Sequence, residues 1–195
     1  MKLASHNSWS YLPPKKWWMK IFKFMAQCQD TDIVAQYEKY GVRCFDLRLR
    51  FKEGTSGIPQ VNHNLIVYDI SVAMILQHLG WLDDRQDVAV RVLLDVRSKK
   101  RYTEFQRDCF SRWCKTLSEQ YINIKFWCGR NLYNWKEEYH FEYNPSCDEK
   151  YSSVCSPKLI DDWYPRWFAK KNTKKIYEAG SKCNYLMLDF INYIE

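Results

Sequence analysis

The run Gly41-Val-Arg-Cys-Phe-Asp-Leu-Arg-Leu-Arg-Phe51 leaves the chain few options. A glycine precedes it and the loop Lys52-Glu-Gly-Thr-Ser-Gly57 follows, so it reads as a strand punctuated at both ends. Side chains on a strand alternate between faces. Phe45, Leu47, Leu49 and Phe51 then form one oily face, and Cys44, Asp46, Arg48 and Arg50 the other. A carboxylate and a guanidinium sit side by side near the C-terminal end. Burying either one unpaired costs on the order of several kcal/mol. That face is therefore either solvated or part of a site. Two histidine motifs flanking the strand, Ser5-His6-Asn7-Ser8 and Val61-Asn-His63, favour a site.

The surrounding pattern alternates. Leu3 to Ser5 starts a short strand that ends in His6 and Asn7. Pro13-Pro14 opens a helical run over 15–25, proline being favoured in a first turn. Trp18, Ile21, Phe22 and Met25 share a stripe there, while Trp17 and Phe24 fall among Lys16, Lys20 and Lys23. That run is either a core-facing helix with a basic outer side or a helix lying on an anionic membrane, with Trp17, Trp18 and Lys20 at the interface. Asp32 to Lys39 is a second helix, with Ile33, Tyr37 and Tyr40 as its stripe. Val61 to Tyr68 is a strand-like run, and Ser71 to Leu79 an amphipathic helix. Val88 to Val96 reads as a parallel strand buried on both faces, ending in Asp95-Val-Arg97. Thr103 to Tyr121 is helical, Ile122 to Trp127 a strand closed by Cys128-Gly-Arg-Asn131, and Leu159 to Ala179 a helix kinked near Pro165. Tyr139 to Tyr143 alternates like a strand within the otherwise unreadable stretch 132–157. Cys183 to Ile191 is the last strand, with Asp189 at its end.

Strands alternating with helices predict parallel strands joined by helical crossovers. His6, Asp46, Arg48, His63, Asp95, Arg97, Arg130 and Asp189 all fall at strand ends, and strand ends converge on one site in a β/α barrel. The expected fold class is α/β, a small or distorted (β/α)8 TIM barrel. With 195 residues it is shorter than the usual barrel of about 250, and an open α/β sheet is the alternative. One domain, 1–195, is expected, acting as a monomer.

The formal charge of +7 suits an anionic partner, but the basic residues are dispersed among aromatics, so nucleic acid is not expected. No apolar run of membrane-spanning length occurs, and Met-Lys-Leu-Ala-Ser-His lacks the apolar core of a signal peptide. A cytoplasmic or peripheral membrane location is the default, and a secreted one if a signal has been trimmed. The eight cysteines form no Cys-x-x-Cys pair, so no metal site is expected and reduced thiols are favoured. Cys28, in a helical pattern, and Cys44 read as free buried thiols. Cys147 and Cys155 are the one tempting local disulfide.

Only four histidines are present, and two lie at strand ends on either side of the Asp46–Arg48 strand. Two imidazoles facing each other across a phosphate can act as base and acid in one transfer. A guanidinium between them binds non-bridging oxygens, and a carboxylate behind one imidazole fixes its tautomer. These are the parts of metal-independent phosphodiester cleavage.

Ala4-Ser-His-Asn-Ser-Trp-Ser-Tyr11, Gly41-Val-Arg-Cys-Phe-Asp-Leu-Arg48, Val61-Asn-His63 and Leu188-Asp-Phe-Ile-Asn192 together resemble the phosphatidylinositol-specific phospholipase C family, X-region type. The resemblance implies a distorted TIM barrel of the PLC-like phosphodiesterase type. It also implies attack by the inositol 2-hydroxyl on phosphorus, giving a cyclic inositol phosphate and diacylglycerol. On that resemblance His6 is the general base, Asp189 its orienting carboxylate, His63 the general acid and Arg48 the phosphate clamp, with Asp46 the acid two residues before it. Asn7, Arg97 and Arg130 fall at substrate-side places. Arg48 and Arg97 stand where the family's calcium-dependent branch has acidic ligands. This implies no cofactor, with calcium disfavoured, and a phospholipid at a membrane surface as the substrate. Asn7 after His6 departs from the bacterial pattern, which has Asp. The other readings are a metal-dependent glycerophosphodiesterase-like enzyme and a catalytically impaired lipid-binding domain on the same barrel.

Overall fold

The computed structural model describes residues 1–63, 65–95, 103–130, 151–154, 165–171 and 185–193. They form an eight-stranded sheet. β1 (Lys2–Ser5), β2 (Val42–Phe51), β5 (Ala89–Leu94), β6 (Lys125–Arg130), β7 (Tyr151–Val154) and β8 (Tyr185–Leu188) are parallel, in the order β7-β8-β1-β2-β5-β6. Among the described residues β6 and β7 are not paired, so the sheet is not closed there. Helices α1 (Ile33–Glu38), α2 (Val72–Asp83), α3 (Glu104–Gln120) and α4 (Pro165–Lys171) lie between strands in the chain.

The strand 42–51 forms as its alternation requires, and Gly41 before it adopts a φ of +68°, which a side chain would resist. Its oily face, Phe45, Leu47, Leu49 and Phe51, packs in one large core with Ile75, Leu79 and Leu82 of α2 and with Cys109, Phe110, Cys114 and Leu117 of α3. The opposite face is also buried, so the half-exposed reading of this strand does not hold. A separate cluster sits on that side: Ala4, Cys44, Ala89, Trp127, Tyr185 and Met187. Small residues from β1, β2 and β5 leave room there for Trp127 and Tyr185, whose rings meet edge to face 4.9 Å apart.

Several expectations need correction. The run 61–68 is not one strand but an antiparallel hairpin, β3 (Pro59–His63) and β4 (Ile66–Val67), and β3 runs antiparallel to β2. The glycine-bearing loop 52–57 is short enough for a direct reversal, so no helical crossover intervenes. The helical run after Pro13-Pro14 starts later, at Trp17, and is a 3₁₀ helix, Trp17–Met25. Pro14 instead bridges Tyr68. Three residues per turn do not hold the stripe that an α-helix would present. Met19 is the buried residue, while Trp18, Ile21 and Phe22 are exposed. Cys28 lies in the loop beyond this helix, though its thiol is buried as expected. β6 begins at Lys125 and continues through Cys128 and Gly129, and Ile122 is in an exposed turn. Pro165 opens α4, where a ring without N–H is harmless. The expected strand 139–143 and the Cys147–Cys155 pair lie outside the described residues.

Helix α3 begins with a capping box: the Thr103 side chain accepts from the Gln106 amide, and the Gln106 side chain accepts from the Thr103 amide. Thr103→Ala is expected to cost about 1 kcal/mol of unfolding free energy in urea denaturation, with the denaturant slope unchanged.

Candidate active site

Strand register assembles the site. Ser5 of β1 pairs Leu188 of β8 and Phe45 of β2. The next residues, Asp189, His6 and Asp46, therefore lie at one level, and Asp46 pairs in turn with Arg91 of β5. A row of four polar residues thus crosses four adjacent strands, immediately above the small-residue layer of Ala4, Cys44 and Ala89. Arg48 lies one inward step further along β2. The hairpin places His63 opposite the same part of β2, because Leu49 pairs Val61 and the chain then runs back.

His6 and His63 face each other with ring centroids 5.5 Å apart and planes at 73°. His6 Nδ1 bonds Asp189 Oδ1 at 2.5 Å. His63 Nδ1 donates to the Ala26 carbonyl at 2.9 Å. In both rings Nδ1 is thereby held by the protein, which fixes the ring orientation. Burial, then the positive charge of Arg48, then His6 hold the His63 pKa well below its usual 6.5, so its ring is neutral at pH 7.

Asp46 is fully buried and holds three elements. Its Oδ2 accepts from the Asn7 amide at 2.9 Å and from Arg48 Nε at 2.8 Å, and its Oδ1 accepts from Arg91 Nη1 at 3.5 Å. Burial alone would raise its pKa; the charges of Arg48, Arg91 and His6 and the Asn7 amide outweigh burial and lower it to about 2. Arg48 is 2% exposed. Burial works against its charge, and Asp46, Asp95 and Cys28 more than offset that, so its pKa is raised.

The chain turns sharply beyond two of these strand ends. Asn7 and Phe190, each next to a site residue, adopt φ of 44° and 47°. Such left-handed conformations cost on the order of 1–3 kcal/mol each outside glycine and persist where neighbours enforce them. Here the segment 26–29 enforces them. Cys28 O accepts from the Phe190 amide, Gln29 Nε2 donates to Leu188 O at 2.9 Å and to His6 O at 3.3 Å, and Gln29 Oε1 accepts from the Ile191 amide. Ser10 Oγ secures the segment by accepting from the amides of Cys28 and Gln29.

The residues expected from the sequence therefore divide. His6, Asp46, Arg48, His63 and Asp189 come together. Asn7 stands beside them, but its side chain donates to Ala26 O and to Tyr68 Oη, both at 3.4 Å, and so braces the support of His63. Arg97 and the side chain of Arg130 lie outside the described residues. Trp17, Trp18 and Lys20 are on the exposed 3₁₀ helix; Trp17 is 77% and Ile21 65% exposed. Two residues escaped the sequence reading. Arg91 was lost within an apolar strand, although a guanidinium between Val90 and Val92 in a doubly buried strand already demands a carboxylate partner. Cys28 carried no signal, since its neighbours come from three other segments.

No family model and no curated protein sequence matches the chain. Solved structures do. Staphylococcus aureus phosphatidylinositol-specific phospholipase C, from work on modulation of its membrane binding, matches with a TM-score of 0.58 at 14% identity, over 97% of this chain and 85% of that one. A pentafluoro-Phe form of the S. aureus enzyme matches with a TM-score of 0.55 at 15% identity, over the same shares. At such identity the likeness is one of fold: the chain has a fold like that of phosphatidylinositol-specific phospholipase C.

The stability contributed by Asp46 follows from its lowered pKa. Its carboxylate is charged in both folded and unfolded chains above about pH 5, so its contribution is complete there and is lost as pH falls through 3.8 toward about 2. The loss is on the order of 2 kcal/mol. Asp46→Asn leaves two buried guanidiniums facing a neutral amide, and urea denaturation at pH 7 is expected to show a loss of about 3 kcal/mol or more.

Proposed function

We propose that this protein is a phosphodiesterase of the phospholipase C kind that cleaves a phosphatidylinositol-type phospholipid by intramolecular transfer, on a distorted barrel spanning the chain. The observation that carries this reading is the facing pair His6 and His63, with Asp189 on the first ring and Arg48 beside the second. His6, held by Asp189, takes the proton of the inositol 2-hydroxyl as its oxygen bonds phosphorus. His63, which takes up a proton from solvent at Nε2 as the phosphate binds, gives it to the diacylglycerol oxygen as the bond from phosphorus to that oxygen breaks. The Arg48 guanidinium, oriented through Nε by Asp46, binds the non-bridging oxygens and stabilises their charge. An arriving phosphate also cancels part of the Arg48 charge that keeps His63 neutral, so the substrate itself raises the acid's pKa.

Calcium, as used by one branch of the family, does not suit this donor set. It takes six to eight oxygens, whereas both Asp46 oxygens here are engaged by arginines and Arg48 occupies the site. The reaction is therefore written without a metal. The exposed helix supports a membrane surface as the place of action: Trp17, Trp18, Ile21, Phe22 and Phe24 are exposed among Lys16 and Lys20.

Phosphorus NMR of phosphatidylinositol micelles tests the reaction. A cyclic inositol phosphate signal is expected with chelator present, and His6→Ala and His63→Ala are each expected to slow its appearance ~100-fold or more in folded protein. Either variant at near wild-type rate overturns the assignment of base and acid. Vesicle binding with no product from the unaltered protein would leave a lipid-binding domain. Trp17→Ala with Ile21→Ala is expected to weaken sedimentation with anionic vesicles about tenfold or more, with the circular dichroism spectrum unchanged.

A further inference from the structure

Cys28 has no part in the phosphodiester chemistry, yet it sits within it. Its side chain is fully buried, with Sγ 3.7 Å from His63 Nδ1 and 3.6 Å from the Ala26 carbonyl. His6, Cys28 and His63 each offer one donor atom, and the three atoms lie within 4.8 Å of one another. All three residues are buried, His6 being 7% and His63 8% exposed.

We propose that His6, Cys28 and His63 form a binding site for a thiophilic divalent cation such as zinc, and that the bound ion shuts off the enzyme. The metal site stands on the geometry; the shut-off rests on the phosphodiesterase reading above. Two imidazoles and a thiolate are the three-ligand set of an open tetrahedral zinc centre, with the fourth position left for water or a phosphate oxygen. Zinc–nitrogen and zinc–sulfur bond lengths put tetrahedral ligands roughly 3.3–3.6 Å apart. The donors here would close by about an ångström, which side-chain rotation supplies.

The surroundings suit the ion. Asp189 on His6 Nδ1 makes a carboxylate–histidine pair of the type that orients zinc ligands, while His63 would release the Ala26 carbonyl to coordinate through Nδ1, the nitrogen beside Cys28. The charge balance is also favourable. Arg48 lies close and opposes a cation, but Asp46, Asp189 and a Cys28 thiolate outnumber Arg48 and Arg91, and Cys28 already acts on Arg48. The nitrogen and sulfur donors select zinc, cobalt or cadmium over calcium and magnesium, which require oxygen. Occupation takes the lone pairs of the base and the acid together, so a metal bound here competes with substrate.

Titration of the full-length protein with Co²⁺ reads the site without reference to activity. A thiolate-to-cobalt charge-transfer band and visible bands of tetrahedral intensity are expected, displaced by Zn²⁺ and unaffected by Ca²⁺. Cys28→Ser and Cys28→Ala are expected to abolish the charge-transfer band and weaken Zn²⁺ binding about 100-fold or more. Whatever their metal-free rate, both are expected to show the same turnover with and without Zn²⁺, whereas the unaltered protein loses turnover in Zn²⁺ and regains it with chelator. A cobalt spectrum lacking the thiolate band, or equal Zn²⁺ affinity in both variants, overturns the site. A Cys28-dependent band in a protein without phosphodiesterase turnover upholds the site and overturns the function. Turnover that ignores a Cys28-dependent metal overturns the inhibition alone.

Discussion

The buried Asp46 carboxylate is the interaction on which the site depends. It lies at the middle of β2 with no access to water, and its charge is sustained by Arg48, Arg91 and one backbone amide. Each contact performs a separate task. Arg48 is held in a fixed plane, Arg91 ties β5 to β2, and the Asn7 amide fixes the chain just after His6. The backbone of Asp46 adds to this: its amide donates to Ser8 Oγ and its carbonyl accepts from the Ser8 amide. A buried ion cluster of this kind is weak evidence of stability but exact about geometry, because any misplacement leaves a charge unpaired.

Around that carboxylate, two ends of the chain are brought to one place. Parallel pairing of β1 with both β2 and β8 sets His6 between Asp46 and Asp189 by register alone. The antiparallel hairpin returns His63 to the same level from the far end of β2. The segment 26–29 then bridges the strand ends, through Gln29 to β1 and β8 and through the Ala26 carbonyl to His63. Backbone strain at Asn7 and Phe190 is located where the chain must leave the strands at once, just after His6 and Asp189, whose side chains meet.

The alternation in 41–51 made the two faces of β2 legible, and short motifs made His6, His63 and Asp189 legible as strand-end residues. A period of two carries that information locally. The direction of β3 was not legible, because a buried strand reads alike in parallel and antiparallel pairing. The 3₁₀ winding of 17–25 was hidden for a related reason: apolar residues are so dense there that several periods fit. Arg91 was visible as an anomaly, a charge inside an apolar strand, but only the β2–β5 register names its partner. Cys28 was legible as a buried thiol but not as a neighbour of His63, because the two meet only through the fold.

In the proposed reaction, burial and Arg48 keep His63 neutral until an anionic phosphate arrives, while Asp189 holds Nδ1 of His6. Imidazole nitrogen NMR across pH measures this directly, and four histidines keep the spectrum simple. His63 in the free protein is expected to titrate well below 6.5 and to move upward when inositol 1-phosphate is bound. A His63 that titrates at its ordinary value in the free protein, or that does not respond to the bound phosphate, would contradict it.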